Sequence, residues 1–180
     1  MKPSLIPPFN GPEIRGLRVP HEFYWVLDHP APLAGMSLPS PAMNSWSDFH
    51  EMGFKWVVCL CSEIPRYDPA PLKRLMTVEL CDLVETELPD DPQAEEESIR
   101  LIADKVVEKV RIGEGVIVHC AGGHGRTGTV LGVALRRLGC PTEEILTFLD
   151  EVHRARQKPG WPESPWQSEV VARTCSRDDA

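Results

Sequence analysis

No stretch of this 180-residue chain comes near the roughly 20 consecutive apolar residues of a membrane-spanning helix, and its first residues lack the apolar core of a secretory signal. Neither a membrane anchor nor export is expected, and the sequence reads as a cytoplasmic protein. An excess of positive charge is missing as well. Lysine and arginine number 19 against 27 aspartates and glutamates, a formal charge of −8 at pH 7, which argues against nucleic acid or anionic membranes as main partners. The six cysteines lack the close, regular spacing of a disulfide framework or a zinc site, and the histidines are equally scattered. Reduced thiols and no metal are the expectation. No internal repeat is visible, and the length suits one domain with a sizeable core, expected as a monomer.

What the chain does have is Val116–Thr129, VIVHCAGGHGRTGT. A β-branched apolar run ends there at a His-Cys pair, and a glycine-rich turn leads into a helix. Between Cys120 and Arg126 lie Ala121, Gly122, Gly123, His124 and Gly125. Three glycines let the backbone take positive φ angles, so that successive amide hydrogens converge on one point suited to a tetrahedral anion. A helix starting near Thr127 adds unpaired amides and the positive end of its dipole, and the Arg126 fork can bind two phosphate oxygens at once. Cys120 sits at the centre of this field, which favours the nucleophilic thiolate. A Walker loop is excluded by the missing lysine. The run Gly123–Gly128 also satisfies the dinucleotide pattern of spaced glycines, but no second strand ending in an acidic residue comes about 20 positions on.

At these residues the sequence resembles the cysteine-dependent protein tyrosine phosphatases, and HCAGGHGRTGT at His119–Thr129 is most similar to their small dual-specificity branch. The resemblance extends more loosely from Phe23 to Val171. It implies attack of Cys120 on phosphorus, phosphate held by the backbone of Ala121, Gly122, Gly123, His124 and Gly125 with Arg126, and no cofactor. It also implies that His119 orients the loop and that Thr127 stabilises the thiolate as it leaves. The general acid is expected on a loop before the crossover helix. Asp82 fits best, because Val78–Asp82 matches the family's strand-then-aspartate pattern and Leu88–Gln93 matches the segment after that aspartate, with Glu85–Glu87 as a three-residue insertion. Glu85, four residues before Pro89, is the alternative register, with Asp90 and Asp91 behind it. Lys158-Pro-Gly160 and Gln167 resemble the segment that braces the cradle and positions the attacking water, although lysine lacks the planar fork of the family's arginine. The implied substrate is a phosphoprotein or phosphopeptide bearing phosphotyrosine, with phosphoserine and phosphothreonine poorer; phosphoinositides, or phosphate binding without turnover, are the alternatives.

Along the chain, proline and glycine make residues 1–21 an extended, loosely held arm before a phosphatase domain over residues 22–175 and a flexible tail at 176–180. Phe23–Leu27 reads as a strand and Pro32–Met36 as a short apolar piece, which in the resembled family form a hairpin. A short helix through Trp46, Phe49 and Met52 stops at Gly53, and Lys55–Cys61 has the apolar continuity of a central strand. Ser62–Leu72 reads as a loop and Leu75–Leu80 as a strand. Apolar residues at Ile99, Ile102, Val106 and Val110 mark the crossover helix from Pro92 to Gly113, succeeded by the strand Val116–Val118. Later helices carry Val130–Leu138 and Ile145–Val152, and a last one starts at Ser164-Pro165. The expected fold is α/β, a central, mainly parallel twisted sheet with helices on both faces. Cys61, at the end of its strand, is a candidate to resolve an oxidised Cys120 by disulfide formation.

Overall fold

The computed structural model describes residues 3–61 and 66–175. Part of the expected 62–72 loop and the expected flexible tail at 176–180 fall outside these residues. The elements in chain order are β1 (Phe23–Leu27), β2 (Leu33–Met36), α1 (Trp46–Glu51), β3 (Phe54–Cys59), β4 (Lys73–Thr77), α2 (Pro92–Arg111), β5 (Gly115–His119), α3 (Gly125–Arg137), α4 (Thr142–Ala155) and α5 (Pro165–Ala172). They build a five-stranded sheet in the order β1-β2-β5-β3-β4. β1 and β2 are antiparallel, and the other neighbours run parallel. The sheet is thus the expected mainly parallel one, opened by a hairpin.

Strand alternation sends the two sets of side chains into two cores. Val116 and Val118 join Tyr24, Val58 and the apolar stripes of α2 to α5. Ile117 faces the other way, into Phe23, Trp25, Phe49 and Phe54 beside α1 and Ile14 of the N-terminal arm. β5 is buried along its whole length because it lies at the centre of the sheet, with β2 on one side and β3 on the other. β4, an edge strand, keeps Lys73 and Arg74 exposed, charges that discourage pairing with another chain. Among the described residues no helix is long and apolar enough to cross a membrane.

Several boundaries differ from the sequence reading. The arm is fastened from Leu5 onward: Ile6 N donates to Val26 O (3.0 Å), Leu5 bridges Leu27, and Trp25 Nε1 donates to Pro12 O (2.8 Å). It covers the free edge of β1, which an apolar strand needs more than the arm needs freedom. β4 begins two residues before the expected Leu75 because parallel pairing with β3 sets Trp56 opposite Lys73 and Cys59 opposite Thr77. Beyond Thr77 the chain stays tied to β3 through Val78 N to Cys59 O (2.9 Å) and Leu80 N to Leu60 O (3.3 Å). β3 itself ends at Cys59 rather than Cys61, and Leu60 N continues the ladder to His119 O (2.9 Å). Met52 lies outside α1 and is exposed, so only Trp46 and Phe49 anchor that helix.

Candidate active site

The turn from β5 into α3 places Cys120 at the carboxyl edge of the sheet, where open α/β sheets bind their ligands. α3 starts at Gly125, two residues before the expected Thr127. Every carbonyl of the loop's first four residues is tied outward. Cys120 O accepts from His119 Nδ1 (3.2 Å), and Ala121 O from Leu38 N (2.9 Å). Gly122 O accepts from Arg156 (2.9 Å) and Ser37 Oγ (3.2 Å), and Gly123 O from Arg156 (2.7 Å) and the Tyr24 hydroxyl (3.1 Å). The amides of Ala121, Gly122, Gly123 and His124 take no acceptor among the described residues. Tying back the carbonyls turns these amides toward the cradle, a concavity of N–H dipoles. Gly123 has to be glycine: its φ is 62°, and a Cβ there would meet Met36 O at 2.3 Å.

Cys120 is buried and its Sγ accepts from Thr127 Oγ1 (3.1 Å). Arg126 reaches across the cradle to Asp82, with 3.1 Å between NH2 and Oδ2. Its Nε is buried without an acceptor among the described residues, a costly state for a charged donor that a phosphate oxygen would relieve. Asp82 itself is exposed, at the end of the segment that β3 holds beyond β4. Glu85 lies instead on a surface turn with φ 53°, closed by Glu87 N to Val84 O (3.0 Å) and Val84 N to Glu87 Oε2 (3.0 Å). Asp91 caps α2, accepting from Ala94 N (3.1 Å). Of these competing carboxylates, Asp82 is the one the fold carries to Arg126.

The Gly125 amide departs from expectation, and the fold decides where the His124 ring and Gln167 stand. His124 turns its ring away from the cradle: Nε2 faces Gly160 O, and Nδ1 lies 2.8 Å from Glu163 Oε1. Only its backbone faces the anion site. Gly125 does not offer its amide, which donates to Glu163 Oε2 (2.7 Å). Burial pushes the Glu163 carboxyl up, but hydrogen bonds from His124 and from the Gly125 amide outweigh it and hold the group below its ordinary range. Gln167 is buried beneath the loop, where its Oε1 accepts from Glu163 N (2.9 Å) and Ser164 N (3.3 Å) in a capping box. Its Nε2 remains on the Gly125 side, 2.7 Å from where a Cβ on that glycine would stand.

His119 is fully buried, its Nε2 against the Tyr67 hydroxyl, and burial lowers its pKa to about 4. It is neutral at physiological pH, which suits an orienting group. Cys61 is 6% exposed, and the sulfur it touches is that of Cys59 at 3.7 Å. Burial and the Cys59 neighbour push its thiol up to about 12. Both observations bear against Cys61 as the thiol that resolves an oxidised Cys120, because attack needs the thiolate.

The residue that sequence reading missed is Arg156. It was hidden beside Lys158, which the motif pointed to, yet Arg156 is the one that braces the cradle. Its guanidinium is buried, stacks over Tyr24 at 4.7 Å, and donates to Gly122 O, Gly123 O, His21 O (3.0 Å) and Ser37 Oγ (3.1 Å). The one available signal was an arginine at helical spacing from Leu149 and Val152, just past the end of α4 and two positions before the Lys-Pro-Gly segment. Arg156→Met keeps the stem but takes one of two donors from each carbonyl, leaving Ser37 Oγ on Gly122 O and the Tyr24 hydroxyl on Gly123 O, and each lost hydrogen bond is worth about 0.5–1.5 kcal/mol. Vanadate affinity and kcat/KM on a small aryl phosphate are expected to fall about 10–10²-fold. Unchanged vanadate affinity would remove Arg156 from the bracing role.

A thiol in a ring of amides, a hydroxyl on its sulfur, an arginine and an aspartate facing each other across the cradle define a cysteine-dependent phosphatase. Residues 20–164 match the family model described as Swiss Army Knife protein, DSP-PTPase phosphatase domain, and the chain belongs to that family. It is similar to Tk-PTP in its active form, at 25% identity and TM-score 0.56, covering 78% of this chain and 88% of that one. The fold is shared with kinase associated phosphatase carrying a serine at its catalytic-site cysteine (16% identity, TM-score 0.60, 86% and 94% of the two chains). It is shared too with P. aeruginosa TpbA in complex with pTyr (18% identity, TM-score 0.55, 82% of each).

Proposed function

We propose that this protein hydrolyses phosphotyrosine in proteins, and phosphoserine and phosphothreonine more poorly, through a covalent phosphocysteine and without a metal in the reaction. The observation that carries the reading is the unsatisfied Nε of Arg126 beside inward amides and a hydroxyl-bound Cys120. Cys120 Sγ attacks phosphorus, the amides and the Arg126 fork hold the equatorial oxygens, and the phosphorus–oxygen bond to the leaving group breaks. A phosphate dianion that takes over the Arg126 fork frees Asp82 to protonate the departing oxygen. Asp82 then takes a proton from the water that displaces Cys120, while Thr127 hydrogen-bonds the leaving thiolate. Gln167 Nε2, on the Gly125 side of the loop, orients that water.

Charge sets the substrate class. Within Cys120–Arg126 the only basic side chain besides Arg126 is His124, and its ring is turned to Glu163 and Gly160. The cradle therefore suits one phosphate rather than a headgroup with several. The excess of acidic residues also disfavours anionic membranes, in keeping with a monomeric cytoplasmic enzyme acting on phosphoproteins. Purified enzyme is expected to turn over phosphotyrosine peptides ahead of phosphoserine peptides and phosphoinositides, to keep its activity in EDTA, and to be blocked by vanadate, since the cradle stabilises the transition-state charge. Preference for phosphoinositides would overturn the substrate assignment, and loss of activity on chelation the metal-free route. No turnover of any of these by wild type would leave a phosphate-binding module.

A further inference from the structure

We propose that Cys59, Cys61 and His119 form a zinc(II) site behind the nucleophile. Their three ligand atoms lie within 4.8 Å of one another, and all three residues are buried. Parallel pairing puts Cys59 opposite His119 on neighbouring strands, and Cys61, two residues on, returns to the face of Cys59. His119 ends β5 and Cys120 follows it, so their side chains leave the chain on opposite sides.

The geometry suits the ion. Two sulfurs bound at about 2.3 Å to a tetrahedral zinc stand about 3.8 Å apart, and Cys59 Sγ and Cys61 Sγ already stand at 3.7 Å. His119 has the tautomer a ligand needs. A carbonyl only accepts, so the contact with Cys120 O puts the hydrogen on Nδ1 and the lone pair on Nε2. Zinc-bound histidines commonly donate their other nitrogen to a backbone carbonyl, which fixes the ring. Nε2 now accepts from the Tyr67 hydroxyl, which gives up that bond when the ion takes the lone pair, while the ring keeps its bond to Cys120 O. Burial keeps the imidazole unprotonated, so no proton has to leave it.

Charge balances as well. Zn²⁺ with two thiolates and a neutral imidazole carries no net charge. Binding converts two thiols to two thiolates and releases two protons to solvent, which makes affinity rise with pH. Two sulfurs and a nitrogen select a borderline or soft ion over magnesium or calcium. Three protein ligands leave the fourth position to water, as in open zinc sites.

The site does not depend on the phosphatase reading, and its test uses a variant that cannot turn over substrate. Reduced full-length protein is dialysed against zinc chloride and the bound metal counted. Wild type and Cys120→Ser are both expected to bind one zinc, release two protons per ion in weak buffer, and show thiolate-to-metal charge-transfer absorption when loaded with cobalt(II). Cys61→Ser and, separately, Cys59→Ser are expected to lose affinity by at least about 10²-fold, more than the loss of an outer-shell partner, and to lose intensity in that band. The wild-type and Cys120→Ser arms decide the matter should the thiol variants fail to fold. Absence of stoichiometric binding overturns the site, and so does binding that vanishes in Cys120→Ser but survives in Cys61→Ser, which would put the ion on the nucleophile.

Discussion

Cys120→Ser is expected to lose at least about 10⁴-fold of the turnover of a small aryl phosphate while still binding vanadate or inorganic phosphate. The size reflects removal of the nucleophile from a set of groups that act as a unit. A serine hydroxyl in the same place accepts the Thr127 bond but does not ionise at neutral pH, so the cradle holds an anion that nothing attacks. The ligands of that anion are the inward amides and Arg126, none of which the substitution moves. Steady-state kinetics gives the first quantity and calorimetric phosphate binding the second. Retention of more than about 1% of wild-type turnover, far above what a missing nucleophile allows, would show that Cys120 is not the attacking group. Loss of phosphate binding together with turnover would show that the loop had collapsed, which circular dichroism and the melting temperature would register.

The second large effect belongs to Asp82. Asp82→Asn is expected to lower kcat about 10²–10⁴-fold, the usual span for a positioned proton donor, and to erase the basic limb of the pH profile, since an amide has no proton to lose there. Glu85→Gln is expected to change kcat far less, because Glu85 sits on an exposed turn while Asp82 faces Arg126 at 3.1 Å. The pH profile makes the comparison: only loss of the acid erases the basic limb, whereas loss of a nearby charge leaves that limb in place. A larger loss in Glu85→Gln, with the basic limb kept in Asp82→Asn, would make Glu85 the acid and require the loop to close differently over bound substrate. A substrate whose leaving group needs no proton should narrow the Asp82→Asn defect and leave the Cys120→Ser defect unchanged.

Local chemistry was enough to read Cys120 and Arg126 from sequence, because a strand, a glycine-rich turn and a helix are adjacent in the chain and the cradle is made from their backbone; Thr127, whose hydroxyl meets the Cys120 sulfur, came from the resemblance. The helix stripe Ile99–Val110 and the apolar runs of β3 and β5 were legible for the same reason: their periods report which faces are buried. Contacts between distant segments carry no such record. Lys158 was read as the brace from its Lys-Pro-Gly motif, yet Arg156 stands under Gly122 and Gly123, since which cation reaches the loop depends on how α4 packs against α3 and sets His153 against Tyr24. His124 and Gly125 lie inside the motif, and Glu163, 38 residues beyond Gly125, decides that one ring turns outward and one amide is occupied.

Cysteine spacing shows the division most clearly. Along the chain Cys59, Cys61 and His119 have no metal-binding spacing, and from sequence a zinc site was not expected. Parallel pairing of β3 with β5 brings residues 60 positions apart into register, and only that register puts two sulfurs and an imidazole within 4.8 Å. What the sequence determined alone is the chemistry of one contiguous turn and the burial pattern of single elements. The tertiary structure decided which side chains hold that turn in shape, which carboxylate faces it, and which thiols meet behind it, because those depend on the register between strands and the docking of helices rather than on neighbours in the chain.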